Sequence, residues 1–169
     1  MIRRSALTSL VIALPALAFL CGTAVAQQKS LTEQIIGTWT LSSFYRECPD
    51  GNKSDVLGPN PQGLRIFQRD GRMSNFVMRS DLPKFTSNSP QDGTADENKA
   101  VVQGTFLSFY GRYSVDEAHS TVTYHIEGSV FPNANGTDQK RSVVITGNEL
   151  RNVAPIGSCT GVMVWRRAE

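Results

Sequence analysis

From Gly37 to Arg167 the chain sets short runs of β-branched, aromatic and aliphatic residues between clusters of Gly, Pro, Asn and Asp. Short runs with a period of two predict half-buried strands, and their repetition without long helical stretches predicts an antiparallel sandwich or barrel. Eight strands are expected, near residues 37–46, 64–69, 73–79, 106–115, 121–130, 138–146, 149–153 and 160–167. Asp70-Gly71 and Gly147-Asn148 separate adjacent runs as tight hairpin turns, so the runs they join are neighbours in space.

The stretch 80–93 breaks the pattern. Rich in Ser, Pro, Asn and Asp and without period, it predicts a long exposed loop. Thr94-Ala95-Asp96-Glu97 follows with capping-box spacing and predicts a short helix from Ala95 to about Gln103. A further turn of helix is expected from Thr32, ahead of Trp39.

Barrel closure has a numerical signature. If the first and last strands pair antiparallel, opposed residue numbers keep a constant sum. Cys48 with Cys159 gives 207 and Trp39 with Arg167 gives 206, a mismatch that one bulge reconciles. The expectation is therefore an all-β, eight-stranded, antiparallel up-and-down barrel with one or two short helices.

The run 121–130 alternates with unusual chemistry on its polar side: His125, Glu127 and Ser129. An odd-sum hairpin between Val115 and Thr121 groups these with Ser108, Tyr110 and Arg112, and groups Phe109, Tyr113 and Val115 with Val122, Tyr124 and Ile126. The polar set could face water while the apolar set fills the barrel, or it could line the polar end of a cavity in which charges pair internally. The residues alone leave open which face points inward.

Residues 1–26 read as an export signal and stay outside the fold argument: Arg3-Arg4, an apolar run from Ala6 to Leu20, then Ala24-Val25-Ala26 with cleavage after Ala26. The apolar run is shorter than the roughly 20 residues of a membrane span. The expectation is a periplasmic or secreted protein with a mature domain at 27–169. Removing Arg3 and Arg4 from 17 Lys and Arg leaves 15, against 15 Asp and Glu, so the mature chain is formally neutral. Without a basic stripe, no nucleic-acid partner is expected. Cys21 leaves with the signal, and the remaining pair, Cys48 and Cys159, predicts one disulfide in an oxidising compartment.

Several stretches resemble a known family. "GTW" entering the first strand and "VWRR" ending the last resemble lipocalin and calycin barrels. "LGPNPQGL", "DGRMS", "MRSDLPKF", "GRYSVDE" and "HIEGSVFPNANGTDQKR" resemble more closely the bacterial and fungal lipocalin-like domain family. The resemblance implies that Trp39 plugs one end of the barrel beneath a basic residue of the last strand, Arg166 or Arg167, with Arg167 preferred. It fixes fold better than function. Two positions depart from the usual pattern: Ala134 stands where an aromatic residue is expected, and Arg65 where an apolar one is expected.

The leading reading is a binder of a small hydrophobic or amphipathic molecule, with Tyr110, Arg112, His125, Glu127 and Ser129 as candidate ligand contacts. Two alternatives belong to other classes. One is a cofactor-independent isomerase or cyclase working through His125 and Glu127, since proton transfer needs only a positioned group of suitable pKa. The other is a partner-binding protein using the 80–93 loop. With two histidines in the chain and no recognised ligand spacing, no metal or cofactor is expected.

Overall fold

The computed structural model describes residues 29–169, so the expected leader over residues 1–26 lies outside the described residues. One antiparallel sheet contains β1 (Gly37–Glu47), β2 (Lys53–Asp55), β3 (Gln62–Phe67), β4 (Arg72–Met78), β5 (Phe109–Asp116), β6 (Thr121–Ser129), β7 (Asp138–Thr146), β8 (Glu149–Ile156) and β9 (Cys159–Arg167). β1 and then β3 to β9 pair in order, and β9 returns to β1, closing an eight-stranded up-and-down barrel. β2 is a three-residue addition pairing with the far end of β1. Lys53-Ser54-Asp55 has no apolar side chain, so the sequence pattern passes over it. The β3–β4 turn puts Gly71 at φ 83°, a conformation that side chains resist, and its amide donates to the Gln68 carbonyl at 3.1 Å.

The closing seam contains the expected bulge. Trp39 faces Arg167 and Leu41 faces Trp165. The register then slips by one, so that Ser43 faces Val164 and Glu47 faces Thr160. Just beyond that last pair, Cys48 and Cys159 form the disulfide, 111 residues apart in sequence. Trp39, Phe67, Val122, Val143, Leu150 and Trp165 lie at 0–1% exposure in the interior, each contributing about 1.5–3 kcal/mol of transfer free energy.

Val122, Tyr124 and Ile126 make the inward row of β6, and a second bulge changes which residues point inward beyond them. From Asp116↔Thr121 to Gly111↔Ile126 the β5–β6 hairpin keeps the odd-sum register, but Tyr110 then faces Gly128. Glu127 is the extra residue, and parity inverts beyond it. The crossing is so close that a Cβ at Gly111 would collide with the His125 carbonyl oxygen.

Two helices serve the barrel's two ends. α1 (Leu31–Ile35) is too short to persist alone, and tertiary partners hold it at both termini. Its first amides, Leu31 and Thr32, donate to the Glu117 carboxylate at 2.9 and 2.7 Å. Arg167 donates to the carbonyls of Gln34, in the last turn of α1, and Ile36, its C-cap, at 2.6 and 2.9 Å. α2 (Ala95–Thr105) starts at the expected capping box and runs two residues past its expected end. Glu97 also accepts from the Thr86 amide at 2.6 Å and the Thr86 hydroxyl at 2.9 Å, so the 80–93 loop is tied to the helix.

Candidate ligand-binding cavity

On four strands the inward row is apolar apart from one polar side chain. Arg65 shares its row with Phe67, Asn75 lies between Met73 and Val77, Tyr124 lies between Val122 and Ile126, and Asn152 follows Leu150. The register brings these together, since Arg65 and Asn75 are directly paired. The Arg65 guanidinium is 1% exposed. Its Nε donates to Asn75 Oδ1 at 2.8 Å, and one terminal nitrogen donates to Tyr124 Oη at 3.0 Å and Asn152 Oδ1 at 2.8 Å. The guanidinium carbon stands 4.1 Å from the centre of the Trp165 ring, and the Trp165 indole donates to Asn152 Oδ1 at 2.9 Å. Burial pushes the Arg65 pKa down to about 10, with the nearby Arg141 cation adding in the same direction, so the group stays protonated at neutral pH.

Above this floor lies a cavity of about 370 Å³, within the size range of small-ligand sites. Phe44, Phe106, Leu107 and Phe109 contribute to its walls, and Phe131, Ala134, Pro155 and Ile156 lie toward the mouth. Ala134 stands where a larger aromatic residue was expected, which leaves room there. Arg141 enters from β7 with its pKa lowered by burial, 5.8 Å from the centre of the Tyr124 ring, and donates to Gln139 Oε1. Arg65 and Arg141 are the charged residues of this lining, and no carboxylate joins them.

The opposite end is closed. Trp39 is fully buried, its indole donates to the Ile35 carbonyl at 2.8 Å, and the Arg167 guanidinium lies 4.2 Å over its ring. Arg166 points elsewhere, 3.8 Å from Glu149 on the surface.

The polar residues expected at the site separate. His125, Glu127, Arg112 and Tyr110 lie on the outer face of the barrel. Arg112 and Glu127 form an exposed 3.6 Å ion pair, and Tyr110 is 59% exposed. This corrects the cavity placement: the clean division into polar and apolar faces is real, but the apolar set with Val122, Tyr124 and Ile126 is the one that fills the barrel. Ser129 alone reaches the cavity lining, because the Glu127 bulge turns it inward opposite Phe109. The inward polar residues Asn75 and Asn152, which the sequence alone did not single out, and Arg65, marked only as a departure from the family pattern, do carry a signal. Each interrupts a row of alternate apolar residues.

His125 has a different setting from the one expected. Its Nδ1 lies 2.7 Å from Asp138 Oδ1 and its Nε2 lies 3.0 Å from Ser114 Oγ, an order of contacts shared with Ser-His-Asp hydrolases. The three sit on a solvated sheet face, and none of them lines the barrel cavity. Among the described residues no group of three or more His, Cys, Asp or Glu is arranged to hold a metal ion, and no helix is long and apolar enough to cross a membrane.

Comparison with known proteins agrees with this architecture. Residues 36–168 match the family described as "Lipocalin-like domain". The chain belongs to the lipocalin-like domain family. This lipocalin-like domain is 37% identical over 92 residues to the 4'-hydroxy-3'-methoxypropiophenone carrier protein of Aspergillus oryzae, a match covering 50% of this chain and 82% of that protein. Crystal structures of two mutants of the fluorescent protein UnaG align over 82% of the lipocalin-like chain and 99% of their own, with 12% identity and TM-scores of 0.39 and 0.40.

Proposed function

We propose that this protein carries a small, largely apolar molecule in the barrel cavity and does so outside the cytoplasm. The observation that carries the reading is the cavity itself, about 370 Å³ with aromatic and aliphatic walls, above a barrel end sealed by Trp39 and Arg167. The fungal relative, named as the carrier of an aromatic ketone, supports the same class of role. Export is supported by the leader-like residues 1–26 and by the Cys48–Cys159 bridge, which suits an oxidising compartment. Ser129, on the cavity lining, remains in the proposed contact set. His125 and Glu127, on which an isomerase or cyclase reading depends, do not line the barrel cavity, and Glu127 borders only an open depression on the outer face.

Trp165 is buried beneath Arg65, which lines the cavity, so an occupant that meets Arg65 changes the surroundings of the indole. Titration with the neutral dye N-phenylnaphthylamine should quench tryptophan emission and raise dye emission at one site per chain. Native mass spectrometry of freshly purified protein should show a bound small molecule. An empty protein that leaves the dye unaffected would overturn the carrier reading. N-terminal sequencing of protein recovered from the periplasm or medium should begin at Gln27.

A further inference from the structure

We propose that the natural ligand bears a single delocalised oxyanion, a carboxylate or a phenolate, and that Arg65 and Arg141 together form its seat. The proposal depends on the cavity being a ligand site and adds the chemistry of the ligand's polar end.

The argument is a count of donors against acceptors. Arg65 has five N–H groups. Nε and one terminal nitrogen are met by Asn75, Tyr124 and Asn152, but the other terminal nitrogen meets only the Met163 sulfur, at 3.8 Å. A thioether is a weak acceptor. Tyr124 Oη is occupied as an acceptor from Arg65, and its own proton has no acceptor among the described residues. Asn152 Oδ1 takes hydrogen bonds from both Arg65 and Trp165, while its amide N–H groups have no acceptor among the described residues. The floor therefore holds donors on three side chains that no oxygen of the described residues accepts from, around an arginine that is 1% exposed.

Charge points the same way. Every acceptor that Arg65 has is neutral, and the cavity lining holds a second guanidinium, Arg141, and no carboxylate. Buried cations are ordinarily paired, because an isolated buried charge is costly. On the exposed surface, where pairing is less needed, Arg112, Arg79 and Arg166 nonetheless have carboxylate neighbours in Glu127, Asp81 and Glu149. Inside, the counterion is missing from the protein. A guanidinium fork with an open edge suits a planar, delocalised oxyanion, which accepts two parallel N–H bonds. The aromatic walls suit an apolar body behind it. A purely structural Arg65, stacked on Trp165 for cation-π stabilisation, predicts no preference among ligand head groups.

Naphthoate, naphthamide and naphthol share one ring system and separate these cases by calorimetric titration. Naphthoate should bind wild-type protein roughly tenfold or more tighter than naphthamide. Arg65→Met should lower naphthoate affinity by roughly tenfold while changing naphthamide by less than about threefold. Arg141→Met, a half-buried wall position, repeats the test should Arg65→Met fail to fold. Naphthol whose affinity rises as pH passes its own ionisation assigns a phenolate, and naphthoate preference with naphthol flat assigns a carboxylate. Equal naphthoate and naphthamide affinities with naphthol flat would overturn the seat, as would a naphthoate preference that survives in both variants. Binding of N-phenylnaphthylamine without naphthoate preference leaves the cavity standing and removes only the oxyanion. Failure of every probe removes both.

Discussion

Two arginines of this barrel lie over tryptophans at nearly the same distance, Arg167 at 4.2 Å over Trp39 and Arg65 at 4.1 Å over Trp165. Their remaining contacts divide them. Arg167 spends its terminal nitrogens on the Gln34 and Ile36 carbonyls at the C-terminal end of α1, where a cation also favours the helix dipole. Its surroundings are complete, and the barrel end is shut. Arg65 is more deeply buried yet keeps one terminal nitrogen against a sulfur and has no anionic partner. The same stack is thus a seal in one place and an unfinished site in the other. Whether the protein supplies the last acceptors distinguishes them.

The two ends are also held by different means, and the largest expected effect tests this. The mouth has no plug, and the Cys48–Cys159 bridge ties the first and last strands there across a loop of 111 residues. Replacing both cysteines by serine should cost about 2–5 kcal/mol in denaturant unfolding. A cost below about 1 kcal/mol would mean that the β1–β9 ladder holds the mouth unaided. At the closed end, Arg167→Met removes two charge-assisted hydrogen bonds and a stack, and should cost about 3 kcal/mol.

Arg65→Met should behave differently although it removes the more buried group. Burial lowers the folded-state pKa from the ordinary arginine value to about 10, so the folded chain holds this proton less tightly than the unfolded chain does. The cost of the charge is fully present below about pH 10 and disappears only as pH rises through that window. Methionine lifts this cost but leaves Asn75 Oδ1 without its donor. The two effects offset, and stability should stay within about 1 kcal/mol of wild type. A loss as large as that of Arg167→Met would make both stacks structural and erase the distinction.

Much of the fold was legible because strands write their period into the sequence. The eight runs, the turns at Gly71 and Gly147, the Thr94–Glu97 cap and the one-residue slip between the 206 and 207 sums all rest on local pattern. The site was harder to read, for two physical reasons. Polar residues that alternate with apolar ones normally face water, so grouping His125 with Arg112 identified a face correctly and left its direction open. The bulge at Glu127 then reversed parity for Ser129, and a bulge has no signature in composition. Arg65 stood out as an arginine where the family resemblance led one to expect an apolar side chain. What the sequence did not show is that its neighbours in space, Asn75, Tyr124 and Asn152, come from three other strands.

Acid should loosen the segment flanking α2 before it touches either stack. Glu97 is held at about 2 by the Thr86 amide first, then by the Thr94 amide and the two threonine hydroxyls. A depressed carboxyl stabilises the folded state above its unfolded pKa of about 4.3 and loses that contribution as pH falls toward 2. Hydrogen exchange at the Thr86 amide, corrected for intrinsic rate, should lose protection across that interval, and Glu97→Gln should be poorly protected throughout. Unchanged protection at pH 2 would show that the loop is held by packing rather than by this carboxylate.

The smallest effect is expected from the most reactive-looking residue on the surface. His125 sits between Asp138 and Ser114 with hydrolase-like distances, but on a face where each partner is already half in water. Exposed pairs of this kind contribute about 0–1 kcal/mol. His125→Ala should therefore change stability by no more than about 1 kcal/mol and leave binding of N-phenylnaphthylamine and naphthoate unaltered. Ester hydrolysis by wild-type protein should not exceed that of the variant, because Ser114 is exposed and does not line the barrel cavity. A His125→Ala protein that loses ligand would mean that the outer face communicates with the floor through the Tyr124–His125 strand. The contrast between a self-sufficient exterior and an unfinished interior would then fail at β6, which turns Tyr124 inward and His125 outward.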